Sequence, residues 1–228
     1  MVDGIHIAII PDGNRRWSQK RGKPTLFGHQ AGARTLENFL KWSQEYPEIK
    51  MISVYALSTE NLSRDQKELN YLWKVYLENL KKVIKSDEFQ KEEIKVNVLG
   101  NHNLWRSDVR KAAKEVMINT KNYTKSVLNI LLAYGGQFEI IGSMNTLLKK
   151  GIRKIPIAGD AFNKFLLVKK PVDLVIRTGG YHRLSNFLLF QSAYAELYFT
   201  DTLWPDFSKK EFEKIMKWYF SQQKKFGK

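Results

Sequence analysis

His6-Ile-Ala-Ile-Ile-Pro-Asp-Gly-Asn-Arg-Arg-Trp17 runs an apolar strand straight into a carboxylate, a glycine, an asparagine and two arginines. That order places Asp12 at the carboxyl end of a buried strand, the edge where open α/β sheets bind ligands. Gly13 lets the backbone approach a ligand closely, and the amides that follow open a helix able to hold an anion. Arg15 and Arg16 suit phosphate oxygens. One carboxylate among arginines and free amides points to a metal ion bound together with a phosphorylated substrate. Taken alone, Pro-Asp-Gly is also simply a good turn, so the rest of the chain has to decide.

Outward from this stretch, strands and helices alternate. Ile5–Ile10 reads as a strand, and Ala31–Tyr46 as a helix with Leu36, Phe39 and Leu40 on one face. Met51–Ala56 is a second strand. Ser63-x-x-Gln66 resembles a capping box that opens a long helix, on which Leu69, Leu72, Tyr76, Leu80 and Val83 keep helical spacing. Ile94–Leu99 alternates like a strand and stops at Gly100. Leu104–Thr120 reads as helix, Leu128–Ala133 as a buried strand and Phe138–Lys149 as helix. Asp160 is placed to cap a short helix, and Val172–Ile176 reads as a strand. Ser208-x-x-Glu211 is a second capping box, opening a C-terminal helix. Strands joined by crossover helices predict an α/β fold: one domain, residues 1–228, with a mainly parallel central sheet flanked by helices.

Three strands end in polar turns: Asp12-Gly-Asn-Arg-Arg16, Ser58-Thr-Glu-Asn61 with Arg64, and Arg177-Thr-Gly-Gly-Tyr-His-Arg-Leu-Ser185. A parallel sheet brings all three to the same edge, where they converge on one cleft. This convergence favours the ligand reading of Asp12 over the turn reading.

The 228 residues are 43% hydrophobic, enough for a proper core, and contain no cysteine, which excludes disulfides and thiolate metal sites. No apolar run approaches the ~20 residues that span a bilayer, and the first residues lack the pattern of a signal peptide. A cytoplasmic protein is the expectation. The net charge of +15 attracts polyanions, whether nucleic acid, acidic lipid or small phosphates, and does not choose among them.

The motifs make that choice. The chain resembles the cis-prenyltransferases, the family of undecaprenyl diphosphate synthase, over nearly its full length. Asp12-Gly-Asn-Arg-Arg-Trp17, Phe27-Gly-His-Gln-Ala-Gly32, Tyr55-Ala-Leu-Ser-Thr-Glu-Asn61 and Tyr134-Gly-Gly136 carry the resemblance. So do Asp173-Leu-Val-Ile-Arg-Thr-Gly-Gly180, Arg183-Leu-Ser-Asn-Phe187, Ala195-Glu-Leu-Tyr-Phe-Thr-Asp201 and Leu203-Trp-Pro-Asp-Phe207. The resemblance implies sequential condensation of isopentenyl diphosphate onto an allylic diphosphate, with Mg²⁺ assisting departure of the diphosphate. The product would be a polycis-polyprenyl diphosphate, the precursor of a glycosyl carrier lipid. A growing chain of about C50–C60 needs an apolar tunnel shielded from water, for which the helix Leu69–Val83 and the strand Leu128–Ala133 are candidate walls. Ordinary core packing fits the same pattern.

The resemblance also assigns roles. It implies Asp12 as the essential aspartate that handles Mg²⁺ and diphosphate. Gly13, Asn14, Arg15, Arg16, Trp17 and His29 belong to the allylic site, although Trp17, like Phe187 and Trp204, reads equally as core. Ser58, Glu60, Asn61 and Arg64 organise the second turn of that site. Arg177, Arg183 and Ser185 match the isopentenyl diphosphate site, where guanidinium forks suit phosphate. His182 and Glu196 match residues linked to the metal. The catalytic set is Asp12, Asn14 and Asn61, with the general base open between Asn14 and a substrate phosphate. Tyr134-Gly-Gly136 reads as a tight strand exit.

Departures from the family pattern are Tyr181 for Glu, Thr25 for Arg, Leu62 for Trp, Ala133 and Gln137 for Asn and Arg, and Lys225-Phe-Gly227 for Arg-x-Gly. They leave open an archaeal-type member, with geranylgeranyl rather than farnesyl diphosphate as primer. The resemblance further implies a homodimer, and the basic surface suggests peripheral contact with the inner face of the membrane. A non-catalytic subunit of the same fold would lose the metal aspartate, whereas this chain keeps Asp12 and Glu196. A nucleic-acid module would fit the charge, but no binding motif supports it, and no nucleic acid is expected.

Overall fold

The computed structural model describes residues 4–152 and 161–222. Six strands form one wholly parallel sheet: β1 (Ile5–Ile10), β2 (Ile49–Ser58), β3 (Ile94–Leu99), β4 (Ser126–Tyr134), β5 (Leu174–Arg177) and β6 (Glu196–Phe199). Their order is β3-β4-β2-β1-β5-β6. Seven helices are described among them: α1 (Asn14–Gln19), α2 (Thr25–Ser43), α3 (Gln66–Lys85), α4 (Asp87–Lys91), α5 (Ser107–Asn119), α6 (Gly136–Lys149) and α7 (Lys209–Ser221).

Side-chain alternation along the strands separates two cores. Ile7, Ile9, Ile52, Val54 and Leu128 point to the face covered by α2, α3, α5 and α7, where Phe39 of α2 packs edge-on to Phe212 of α7. Ala8, Ile10, Tyr55 and Leu131 point to the other face, covered by Val168, Phe187 and Leu188. Fully burying one such large apolar side chain contributes about 2–3 kcal/mol.

The expected parallel sheet is present, and β1 and β3 have the expected bounds. Helix α2 starts six residues before the expected Ala31, because Gly28 and Gly32 weaken a sequence-based helix reading but are needed for packing. A Cβ at Gly28 would lie 1.9 Å from the Asn14 carbonyl oxygen, and one at Gly32 2.2 Å from Asn14 Oδ1. The two glycines therefore let α1 sit against α2. The helix ends at Ser43 rather than Tyr46, since Tyr46 precedes Pro47 and is biased away from helix.

Ser63 does not cap α3. Its hydroxyl donates to the Glu60 carbonyl and closes the 3₁₀ turn Glu60–Ser63, while Asp65 Oδ1 accepts from the Lys67 and Glu68 amides at 2.9 and 3.2 Å. Ser208 does cap α7, accepting from the Glu211 amide. Helix α5 begins at Ser107, after a separate 3₁₀ turn over His102–Leu104. The expected cap at Asp160 and the Lys225-Phe-Gly227 departure lie outside the described residues. Strand β6 was not expected. It joins β5 in parallel across residues 178–195, which form turns rather than a crossover helix, and that irregular connection carries the third polar turn.

Candidate active site

All three polar turns meet at the carboxyl edge of the sheet. Ile10 pairs in register with Arg177, so Asp12 emerges beside the end of β5. The Thr178 hydroxyl holds the Asp12 backbone twice, accepting from its amide at 3.0 Å and donating to its carbonyl at 2.8 Å. The Trp204 amide donates to the same carbonyl. With its backbone fixed, the Asp12 carboxylate takes one arginine on each oxygen: Arg16 Nη2 at 3.2 Å and Arg177 Nη2 at 3.0 Å. Gly13 adopts a φ of +111°, a conformation that favours glycine, and this turns the chain into α1.

Arg177 is buried, unusual for arginine, and is held by fixed acceptors. Its Nη1 donates to the Arg183 carbonyl and to Ser185 Oγ, the latter at 2.8 Å. Its Nε has no partner among the described residues. Ser185 and Asn186 have positive φ, 48° and 65°, so the third turn is bent sharply back toward β5. Tyr55 steadies this bend by donating its hydroxyl to the Ser185 carbonyl, and its ring stacks on Phe187 at 4.5 Å.

The second turn is tied to the third. Ser58 and Asn61 cap each other: the Asn61 amide donates to Ser58 Oγ, and the Ser58 amide to Asn61 Oδ1. Glu60 accepts from Asn186 Nδ2 at 3.0 Å. Burial raises the Glu60 pKa, but the hydrogen bonds from Asn186 and nearby groups outweigh it and hold the carboxyl below its ordinary value. His29 reaches Glu68 at 3.4 Å, and Arg64 donates to the same carboxylate at 3.2 Å. Burial keeps the His29 pKa below its ordinary value even beside this carboxylate.

Below the turns lies one cavity of about 1140 Å³. Arg15, Arg16, Arg64, Arg177 and Arg183 line its mouth with the carboxylates Asp12 and Glu60, and Glu68 stands behind Arg15 and Arg64. Its depth is apolar: Leu36 and Leu40 of α2, Leu72 and Leu80 of α3, Leu128 and Ile130 of β4. The walls expected from the α3 and β4 patterns are the walls found. A charged mouth on a greasy bore can grip a phosphorylated head and bury a hydrocarbon tail.

Not every expected residue comes to this mouth. Trp17 does not line the cavity; its indole donates to Asp206 and is covered by Arg21. Asn14 lines the mouth, but its Oδ1 is packed at Gly32 without a hydrogen-bond partner. His182 stacks on Phe199 at 5.1 Å. Glu196 pairs with Leu174, whereas Phe199 pairs with Arg177. Glu196 therefore sits about 10 Å along the strand from the Asp12 edge. Among the described residues of one chain, no three His, Asp or Glu side chains gather as a metal cage. Gly135 and Gly136 admit the third turn, with their Cβ positions 2.7 and 2.8 Å from Asn186 and Leu189, consistent with a tight strand exit.

Sequence reasoning missed Thr178, Tyr55, Asn186 and Glu68. The spacing of Arg64 and Glu68, four apart, was the available signal for the last, although Arg64 itself precedes the Asp65 cap of α3.

Known proteins match this architecture. Residues 10–227 match the Prenyltransf family model, that of undecaprenyl diphosphate synthase. An isoprenyl transferase from Fusobacterium nucleatum is 43% identical, with 97% of this chain and 95% of that protein covered. A tritrans,polycis-undecaprenyl-diphosphate synthase, geranylgeranyl-diphosphate specific, from Thermococcus kodakarensis is 40% identical, with 97% and 86% covered. The solved structure of lavandulyl diphosphate synthase from Lavandula x intermedia, in complex with dimethylallyl diphosphate, superposes with a TM-score of 0.90. It is 27% identical, with 100% of this chain and 99% of that one covered. The chain belongs to the undecaprenyl diphosphate synthase family of prenyltransferases.

Proposed function

We propose that this protein extends an allylic diphosphate, farnesyl or geranylgeranyl, by repeated cis addition of isopentenyl diphosphate, yielding a long polyprenyl diphosphate that serves as precursor of a glycosyl carrier lipid. The observation that carries this reading is the single cavity joining an arginine-rich mouth to an apolar bore. Arg15, Arg16, His29 and Arg64 face the allylic diphosphate; Arg177, Arg183 and Ser185 face the isopentenyl diphosphate. The allylic C1–O bond breaks and its electron pair leaves with the diphosphate. The isopentenyl double bond supplies the pair for the new C–C bond to C1, and loss of a proton restores a double bond. Fixed guanidinium groups stabilise the charge that develops on the leaving oxygens. In this reading a diphosphate oxygen accepts the proton, and the packing of Asn14 Oδ1 at Gly32 favours it over Asn14.

The residues fit Mg²⁺. Asp12 is 30% exposed at the mouth, and each of its oxygens keeps a lone pair beyond its arginine bond. Mg²⁺ keeps most of its water and is commonly held by one or two carboxylates plus substrate phosphates. In this reading Asp12 holds it with the substrate, since His182 and Glu196 are not gathered at Asp12 within one chain. When bound, the ion neutralises charge on the departing diphosphate.

The protein is read as a homodimer. Phe138, Ile141, Met144 and Leu148 form an exposed apolar stripe on α6, a face that a second copy of the chain would cover. Sedimentation equilibrium checks this: a monomer at micromolar concentration contradicts it.

The deciding experiment incubates the protein with labelled isopentenyl diphosphate, Mg²⁺ and either primer, and sizes the products. Long cis products from one primer are expected. No elongation from either, with detergent present, refutes the reading.

A further inference from the structure

The arginines at the mouth have a neighbour with no charge to offer them. The Tyr181 ring centroid lies 4.8 Å from Arg16 Cζ, 4.4 Å from Arg183 Cζ and 5.5 Å from Arg177 Cζ. Three guanidinium groups close together repel one another. Asp12 binds two of them and leaves Arg183 unanswered. The negative face of an aromatic ring attracts all three without adding an anion that would compete with phosphate.

The backbone is shaped to deliver that ring. Gly179 and Gly180 both have left-handed φ, +86° and +77°. Their amides donate to the Thr202 and Thr200 carbonyls at 2.8 and 2.9 Å, which pins the turn to the end of β6. The φ of Gly179 favours glycine, and a Cβ there would lie 3.0 Å from the Asp12 carbonyl oxygen and 2.6 Å from Arg16 Nη2, displacing that guanidinium. Among the described residues the Tyr181 hydroxyl has no hydrogen-bond partner, whereas its ring touches every arginine of the set.

The geometry points to Tyr181 as a positioning residue, whose ring face gathers Arg16, Arg177 and Arg183 into one diphosphate-gripping set that spans the two substrate sites. This rests on the proposed function for the identity of those sites. The ring holds the arginines together before any substrate arrives, so an incoming diphosphate meets them already placed.

The test compares wild-type protein with Tyr181→Leu, Tyr181→Gln and Tyr181→Phe. Binding of inorganic pyrophosphate is measured by calorimetry, and KM and kcat are measured separately. Tyr181→Leu and Tyr181→Gln are expected to weaken pyrophosphate binding by about tenfold and to raise KM for isopentenyl diphosphate similarly, with kcat changing less than about threefold. Tyr181→Phe should match wild type, because it keeps the ring. If either ring-less variant folds and binds pyrophosphate within about twofold of wild type, the proposal is overturned. It is overturned too if Tyr181→Phe is as impaired as Tyr181→Leu, or if wild-type protein does not bind pyrophosphate. A ring-dependent pyrophosphate affinity in a protein that makes no polyprenyl product would sink the proposed function and leave this inference standing.

Discussion

His6 and Asp12 lie on the same strand and its exit, yet the polar groups around them are built in opposite ways. His6 is fully buried and begins a closed ladder across four strands. Its Nδ1 faces the Lys170 and Pro171 carbonyls, which can only accept, so Nδ1 carries the proton. Its Nε2 accepts from Ser53 Oγ at 2.7 Å; Ser53 accepts from Asn129 Nδ2, and Asn129 from Asn97 Nδ2. The ladder is neutral, and each link has a partner. Around Asp12 the charges are mostly of one sign, and the groups are half open. Arg177 Nε, a donor, lacks a partner among the described residues. A closed network fixes strand register and needs nothing further. An open, one-signed network is complete only with an anion present. Burial of polar groups alone does not distinguish them; satisfaction and net charge do.

The sharpest way to break this comparison is Asp12→Asn. The amide keeps an acceptor oxygen for one arginine but removes the charge at the mouth. Prenyl transfer is expected to fall by at least about a thousandfold, ~4 kcal/mol in kcat/KM, with the cooperative unfolding transition retained. Turnover above a tenth of wild type would show that the cluster around Asp12 is structural, like the one around His6.

How far the sequence revealed each region follows from chain distance. The strand entering Asp12 and the three polar turns were legible because each is a local pattern, and the parallel sheet then brings their ends together. The Ser63 cap was misread because two capping patterns overlap, and the one at Asp65 offers an acceptor to both the Lys67 and Glu68 amides. Strand β6 escaped because Glu196–Phe199 is a short edge strand without buried alternation. The joint role of His29 and Glu68 was hidden by a sequence separation of 39. The His6 ladder was invisible, since His, Ser and two Asn on separate strands become partners only through register. Tyr181 stood out only as a departure, and its meaning needed the three guanidinium positions.

The smaller effect lies on the closed side. Burial of His6 disfavours its charged form and lowers its pKa from 6.5 to about 4; the hydrogen bonds to the Pro171 and Lys170 carbonyls oppose this but do not overcome it. The fold therefore holds the ring neutral, while the unfolded chain takes up a proton once the pH drops below about 6.5. The stability contributed by the neutral ring is fully present above that value and is lost progressively as pH falls toward 4, by about 3 kcal/mol in all. Denaturant unfolding at intervals from pH 7.5 to 4 should show this slope in wild type. A His6→Asn variant, with no titrating ring, should be less stable at pH 7.5 and should lose less stability on acidification. Parallel slopes in the two proteins would mean that the ladder tolerates a charged His6. The two clusters would then differ in their ligand but not in their tolerance of charge.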